Sequence, residues 1–317
     1  MLPNHVRKND RFILDQLWHR SDDLKKFHKD WFEQDPHFSD SEKNDPYVRL
    51  MIVADPKLER DVTLTDDIDL IRTALGDNTG ILGAVPFDTV YTTSDGYIGR
   101  QLLGNDPQSL GLSWHVRNNL SSDVIIPLRR YKVDQKNVGQ LVSDLNGYDY
   151  VSEFIQVLCK YKINTIQMVD LTYLLNILIG VAETQERLCN LAGWNESYHI
   201  KVKVLNAWRT VPFIDVSVVV DFFDKFGLPM CLNSNDVSPK GYDHTSYKEI
   251  SRYRDQNDSL RILLQALRMF APVAHIYGIP VWFEPDENDS KPIYYVALQD
   301  AGRRSMLVQQ NRNNKQR

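Results

Sequence analysis

The densest polar cluster of the chain is Gly241-Tyr242-Asp243-His244-Thr245-Ser246. Aspartate, histidine and serine are the residue types of a nucleophilic relay, in which a base activates a hydroxyl. Members of a working triad usually come from separate loops, because side chains adjacent in sequence rarely face one another. A turn in which Asp243 bonds its own backbone is therefore the stronger reading. The eight histidines form no HxH, HExxH or HxxxH pair, and none stands at a zinc spacing from Cys159, Cys189 or Cys231. Gly76, Gly80 and Gly83 lie in GDNTGILG, which has neither the GxxxxGK[ST] form nor a lysine to hold a phosphate. Asp66, Asp67 and Asp69 follow Thr65 and suit the first turn of a helix capped by that threonine, where negative charge meets the helix dipole. No catalytic, cofactor-binding or metal-ligating residue is therefore assigned. If a reaction centre is assembled from distant positions, its candidates are Asp215, His199, His244 and Asp243.

Contact residues are a different matter. Arg129-Arg130 and Trp208-Arg209 offer guanidinium groups, the second pair with an aromatic plane for base stacking or anion binding. Trp114, His115 and Arg117 offer a similar combination on a strand. The segment 303–317 is basic, with Arg303, Arg304, Arg312, Lys315 and Arg317 and no acid. It reads as a disordered basic tail, in the plain reading a solvated end with no role and in the alternative a source of phosphate affinity. The candidate nucleic-acid contacts are thus Arg129, Arg130, Trp208, Arg209, Arg303 and Arg304. Against them stands a net charge of −5 over 317 residues, which argues against a dedicated phosphate-coating protein but leaves room for a local basic patch.

These residues need elements to position them. Hydrophobic residues make up 42% and charged ones 25%, the balance of a soluble globular body. Two helices are expected over 10–33, a strand over Tyr47–Ala54, and a helix from Thr65 to about Leu75. Thr89–Thr92 and Tyr97–Leu103 flank Ser94-Asp95-Gly96, a hairpin whose turn asks for positive φ at the glycine. A second hairpin joins Leu110–Arg117 to Val124–Leu128. Residues 132–147 read as a linker or long loop. Val151, Phe154, Ile155, Leu158 and Cys159 mark one face of a helix. Ile166–Leu175 reads as a buried strand, Glu183–Leu191 as a short helix or loop insertion, and Tyr198–Leu205 as a half-exposed strand. Asp215 is expected to cap a helix over Val216–Phe226 that Gly227 and Pro229 end. Ser259 is expected to cap the longest helix, from Leu260 to about Ala271, kinked or ended by Pro272. Ile279–Phe283 and Ile293–Leu298 read as closing strands. The fold class expected is α+β, with mixed or antiparallel sheets packed against amphipathic helices. The organisation expected is an N-terminal region 1–131, a linker 132–147, a C-terminal region 148–300 and a tail 301–317.

Three cysteines without a CxxC spacing suit a reducing compartment and small buried core positions. The N-terminus lacks the apolar run of a signal peptide, and the longest apolar stretch, Leu171–Ala182, is too short to span a bilayer. A cytoplasmic protein with no membrane partner is expected.

The order of VIIPLRRYKVDQKNVGQLVSDLNGYDYVSEFIQVLCKY, INTIQMVDLTYLLNILIG, TVPFIDVSVVVDFFDKFGLP and LRILLQALRMFAPVAHIYGIP resembles the C-terminal region of bacterial proteins whose N-terminal half is an AlbA-type, Schlafen-like DNA-binding domain. The likeness extends over about residues 10–298, and the AlbA-like half itself has no counterpart in this chain. The resemblance implies a non-catalytic accessory, sensor or regulatory module that works with a nucleic-acid-associated protein, in transcription regulation or phage defence. A protein partner follows from it, and no residue role carries over. The alternatives are an enzyme, a nuclease or small-molecule hydrolase, with a site built from distant residues, and direct DNA or RNA binding through the basic tail. No cofactor is expected.

Overall fold

Val48, Leu50 and Ile52 alternate with Arg49 and Met51 along β1 (Tyr47–Val53), and this period of two places three apolar side chains on one side of a sheet. A computed structural model describes residues 46–54, 63–76, 87, 89–100, 112–134, 136–160, 165–207, 209–227, 248–252, 257–279, 282–283 and 291–292. The expected helices over 10–33, the strand over 293–298 and the tail lie outside the described residues. The architecture is α+β. A seven-stranded antiparallel sheet contains β1, β2 (Thr89–Thr92), β3 (Gly96–Arg100), β4 (Ser113–Arg117), β5 (Ser122–Pro127), β8 (Tyr198–Leu205) and β10 (Lys248–Ile250), in the order β10-β8-β1-β5-β4-β3-β2. A three-stranded sheet has the order β6-β7-β9, from Arg130–Asp134, Thr165–Asp170 and Thr210–Phe213. Within it β6 and β7 are antiparallel, and β7 and β9 are parallel. Trp282–Phe283 and Lys291–Pro292 (β11 and β12) pair as a short ribbon.

Six helices are described: α1 (Ile68–Gly76), α2 (Val138–Asp144), α3 (Val151–Lys160), α4 (Leu171–Leu191), α5 (Ser217–Phe226) and α6 (Asp258–Ile276). The stretch read as a linker, 132–147, therefore holds the end of β6 and all of α2. The central pairing of the large sheet joins β1 to β8, with Leu50 opposite Val202, so the sheet draws on both halves of the chain. Val48, Leu50 and Ile52 share one apolar cluster with Trp114, Val124, Ile200 and Val202 of the sheet and with Leu178 of α4 and Phe270 of α6.

The opposite face of that sheet is polar and nonetheless buried. Arg49 grips Asp123 from the next strand with two parallel bonds, Nε to Oδ1 at 3.0 Å and Nη2 to Oδ2 at 2.6 Å. Lys201 is 3% exposed, so β8 is enclosed on both sides along most of its length and is not the half-exposed strand its alternation suggests.

Several local expectations are corrected. The helix start at 65–68 is capped by Asp67, whose Oδ1 accepts from the backbone N–H of Asp69 at 2.9 Å, while Thr65 accepts from Asp67. The buried strand read over Ile166–Leu175 ends at Asp170, and the rest belongs to α4, the longest helix among the described residues. The segment Glu183–Leu191 is the second half of that helix. Both α4 and α6 close with a left-handed glycine, Gly193 and Gly278, and the same pair of backbone bonds: Trp194 N–H to Cys189 O and Gly193 N–H to Asn190 O in the first. The N-cap of α6 is Asn257, accepting from Leu260 N–H at 2.8 Å, rather than Ser259, and Pro272 sits inside the helix without ending it. The β2–β3 hairpin forms as expected, but Gly96 is not at positive φ. Its role is close approach: a Cβ there would meet the carbonyl oxygen of Val116 at 2.1 Å. Cys189 is buried, and burial pushes its thiol up to about 11; Cys159 is exposed at the end of α3.

Candidate functional site

The carboxyl ends of the parallel strands β7 and β9 carry two aspartates. Asp170 ends β7 and opens α4, where its Oδ1 accepts from the backbone N–H of Tyr173 at 2.8 Å. Its other oxygen accepts from the Tyr148 hydroxyl. Asp215 follows β9. It does not cap the helix beside it in sequence, since the N-cap of α5 is Val216, with no side-chain bond. Instead its two oxygens accept from the backbone N–H groups of Asp149 at 2.9 Å and Tyr150 at 2.6 Å, at the entry to α3. Its own N–H donates to the Thr172 hydroxyl at 2.8 Å. The two carboxylates thus tie the loop before α3 to the start of α4.

Burial sets the electrostatics of this corner. It raises Asp170 above the ordinary carboxylate value, against the bonds from Tyr148 and Tyr173 and the charge of Arg129, and Asp215 pushes the same way as burial. The Tyr148 phenol rises for the same leading reason, with Asp170 adding to it. Tyr131 is raised by burial and by Asp170, while Arg129, hydrogen-bonded to it, opposes the shift.

Over these groups lies Arg129, exposed, with its guanidinium carbon 3.7 Å from the centre of the Tyr173 ring. The residue stands just before β6, and its carbonyl accepts from Asp170 N–H at 3.0 Å. One side of the corner is therefore a cation stacked on an aromatic plane, with Tyr131 beside it. A guanidinium in this posture has one flat face on the Tyr173 ring and, beyond its bond to Tyr131, N–H groups that can meet an anion or a base edge.

The structure separates most of the residues singled out from sequence. Strand alternation turns Arg130 and Lys132 to the face opposite Tyr131 and Val133, so Arg129 and Arg130 are neighbours in sequence only. Arg209 is exposed, at φ 56°, before β9, at the other end of the small sheet from Asp170. His199 lies on β8 in the large sheet, apart from Asp215. Trp114 is a core residue with no exposure, packed edge-on to Phe87, while His115 on the other face bonds Asp95 through Nε2 at 3.2 Å. Trp208, Asp243, His244, Arg303 and Arg304 lie outside the described residues. Among the described residues no three His, Cys, Asp or Glu side chains gather as a metal site, and no helix is long and apolar enough to cross a membrane. What the sequence does not disclose is the convergence of Tyr131, Tyr148, Asp170 and Tyr173 beneath Arg129. The one local signal is Asp170 at the junction of an apolar run, a helix-start residue.

No family model, curated protein or solved structure matches the chain.

Proposed function

We propose that the chain is a non-catalytic recognition module for single-stranded nucleic acid, working beside a nucleic-acid-associated protein, with Arg129 and Tyr173 as its contact point. The observation that carries this reading is the division of labour at the corner. Every oxygen of Asp170 and Asp215 already accepts a hydrogen bond from the fold, whereas Arg129 is exposed over an aromatic ring. Carboxylates engaged in this way organise loops, while a stacked guanidinium beside tyrosines suits bases and phosphates of any sequence. The acidic balance of the whole chain fits a local patch with a partner supplying further affinity.

One observation favours an enzyme: Asp170, with Asp215 nearby, is held above the ordinary range at the end of a parallel strand, where reacting groups are often placed. One experiment separates the two readings. A labelled single-stranded RNA is mixed with the native chain, with Arg129→Ala and with Arg72→Ala, a control on the exposed side of α1. Binding that weakens at least about tenfold in Arg129→Ala only, with the RNA intact, supports the module. Cleavage of the strand that disappears in Asp170→Asn would install the enzyme in its place.

A further inference from the structure

A side chain sits on the outer edge of the small sheet. Among the described strands β6 pairs with β7 alone. The backbone groups of Arg129, Tyr131 and Val133 face β7, as the bond from Asp170 N–H to Arg129 O shows, so those of Arg130, Lys132 and Asp134 point outward. On that outward side stands Asn137. Its Nδ2 donates to Lys132 O at 2.6 Å, and its Oδ1 accepts from Asp134 N–H at 2.9 Å. One amide thus makes the two kinds of bond that a neighbouring strand would make to this edge. The N–H of Asn137 donates to Asp134 O at 3.2 Å. Asn137 is also the N-cap of α2, where an asparagine ordinarily accepts from its own helix, yet it makes no such bond. The side chain serves the strand instead of the helix.

The same edge has the charge pattern to pair with itself. Antiparallel pairing of β6 with β6 of a second copy, centred on Lys132, sets Arg130 opposite Asp134 at both ends and Lys132 opposite its counterpart in the middle. Opposite charges then meet at the ends and like charges at the centre. Arg130 and Lys132 are exposed, which puts the edge within reach of another molecule. Every hydrogen bond of that ladder uses Lys132 O, Asp134 N–H or Asp134 O, and Asn137 holds all of these groups. We propose that Asn137 is an edge guard, which keeps β6 from pairing with β6 of a second copy of this chain. A tethered amide makes its bonds without the entropy loss of association, so it outcompetes a free strand for the same groups. Lys132 reinforces it, since a lysine on an outer strand opposes edge-to-edge pairing.

Sedimentation velocity over a concentration series tests the guard. In Asn137→Ser the side chain is too short to bridge Lys132 O and Asp134 N–H, but it can cap α2 in the ordinary way, so the fold is kept. Asn257→Ser, the same substitution at the N-cap of α6, is the control. The Asn137→Ser chain is expected to self-associate at least about tenfold more tightly than the native chain, with the control unchanged. Adding Lys132→Thr removes the like charges at the centre and tightens association by up to about fivefold more. Adding Lys132→Pro instead removes an outward N–H, which an edge strand tolerates, and returns association to the native level. Association of Asn137→Ser equal to that of the native chain overturns the guard, whether its melting temperature is kept or falls. Association that survives Lys132→Pro overturns it as well, because another surface is then responsible. So does native self-association that Lys132→Pro alone abolishes, because the edge is then already in use.

Discussion

Arg129 and Tyr173, separated by 44 positions in sequence, meet as a cation over a ring, 3.7 Å from guanidinium carbon to ring centre. The contact exists because β6 and the start of α4 flank the same strand end: Asp170 N–H donates to the carbonyl of Arg129, and the Asp170 side chain accepts from Tyr173 N–H. Removing the ring should therefore affect binding and leave the strand pairing alone. Tyr173→Leu is expected to weaken single-stranded RNA binding by about 1–3 kcal/mol, with the salt dependence unchanged, because stacking rather than charge is lost. Arg129→Ala is expected to weaken binding and to reduce the slope of log affinity against log salt by about 0.7, one phosphate contact on a single strand. Titrations at several salt concentrations check both.

Asp170 should give an inverted pH signature. Its folded pKa is raised, chiefly by burial, so the native state favours the protonated acid. The stability it contributes is complete below the unfolded value of about 4 and is lost as pH rises through the folded value. Asp170→Asn keeps an acceptor for Tyr173 N–H and cannot ionise. Denaturant melts from acid to neutral pH should show the native chain losing stability relative to this variant as pH rises. A native chain that gains on the variant over that range would contradict the assignment.

The Glu186–Arg252 pair should behave in the opposite sense. Arg252 grips Glu186 through Nε at 2.8 Å and Nη2 at 2.6 Å, and also reaches Asn190 Oδ1 and the carbonyl of Trp194. Gln265 donates to the same carboxylate at 2.8 Å and accepts from the Tyr198 hydroxyl. Burial would raise Glu186, but Arg252, Gln265 and Arg261 together hold it below its ordinary value. Its contribution is thus present above the unfolded value of about 4.3 and lost as pH falls through the folded one. Glu186→Gln should flatten stability in that acid window. Arg252→Met should destabilise the chain by about 3–5 kcal/mol at neutral pH by leaving the carboxylate buried without its main partner.

Gly96→Ala tests the close approach of β3 to β4. The added methyl would press on the backbone of Val116 and Arg117, which cannot rotate away. A loss of roughly 1–3 kcal/mol is expected in urea unfolding. A neutral substitution would show that the hairpin can shift as a unit.

The sequence shows where the strands run more clearly than what they touch. The alternation at Tyr47–Val53, the hairpin at Ser94-Asp95-Gly96 and the helical face of Val151, Phe154, Ile155 and Leu158 are local patterns, and the structure contains each of them. The junction at Asp170 was obscured because the apolar run around it has no period of its own, and a buried strand and a buried helix then look alike. Glu183–Leu191 reads as a short helix or loop insertion, yet Glu183, Thr184, Gln185 and Glu186 are all buried, because α4 is enclosed by both α1 and α6. Asp215 looked like a cap for the helix that follows it, and it serves a loop 65 positions upstream. At the candidate site Arg129 was legible by type, but the tyrosines beneath it come together only through the pairing of β6, β7 and β9.

Because β1 is flanked by β5 on one side and β8 on the other, nascent chain emerging from a ribosome would hold one hydrogen-bonding edge of Tyr47–Val53 open until Leu205 has been made. During that interval of some 150 residues the strand is a template for any stray β-segment, including the same strand of a neighbouring molecule. Synthesis at low temperature or with a holdase present should therefore raise the soluble yield more than any change to the buffer of the finished protein.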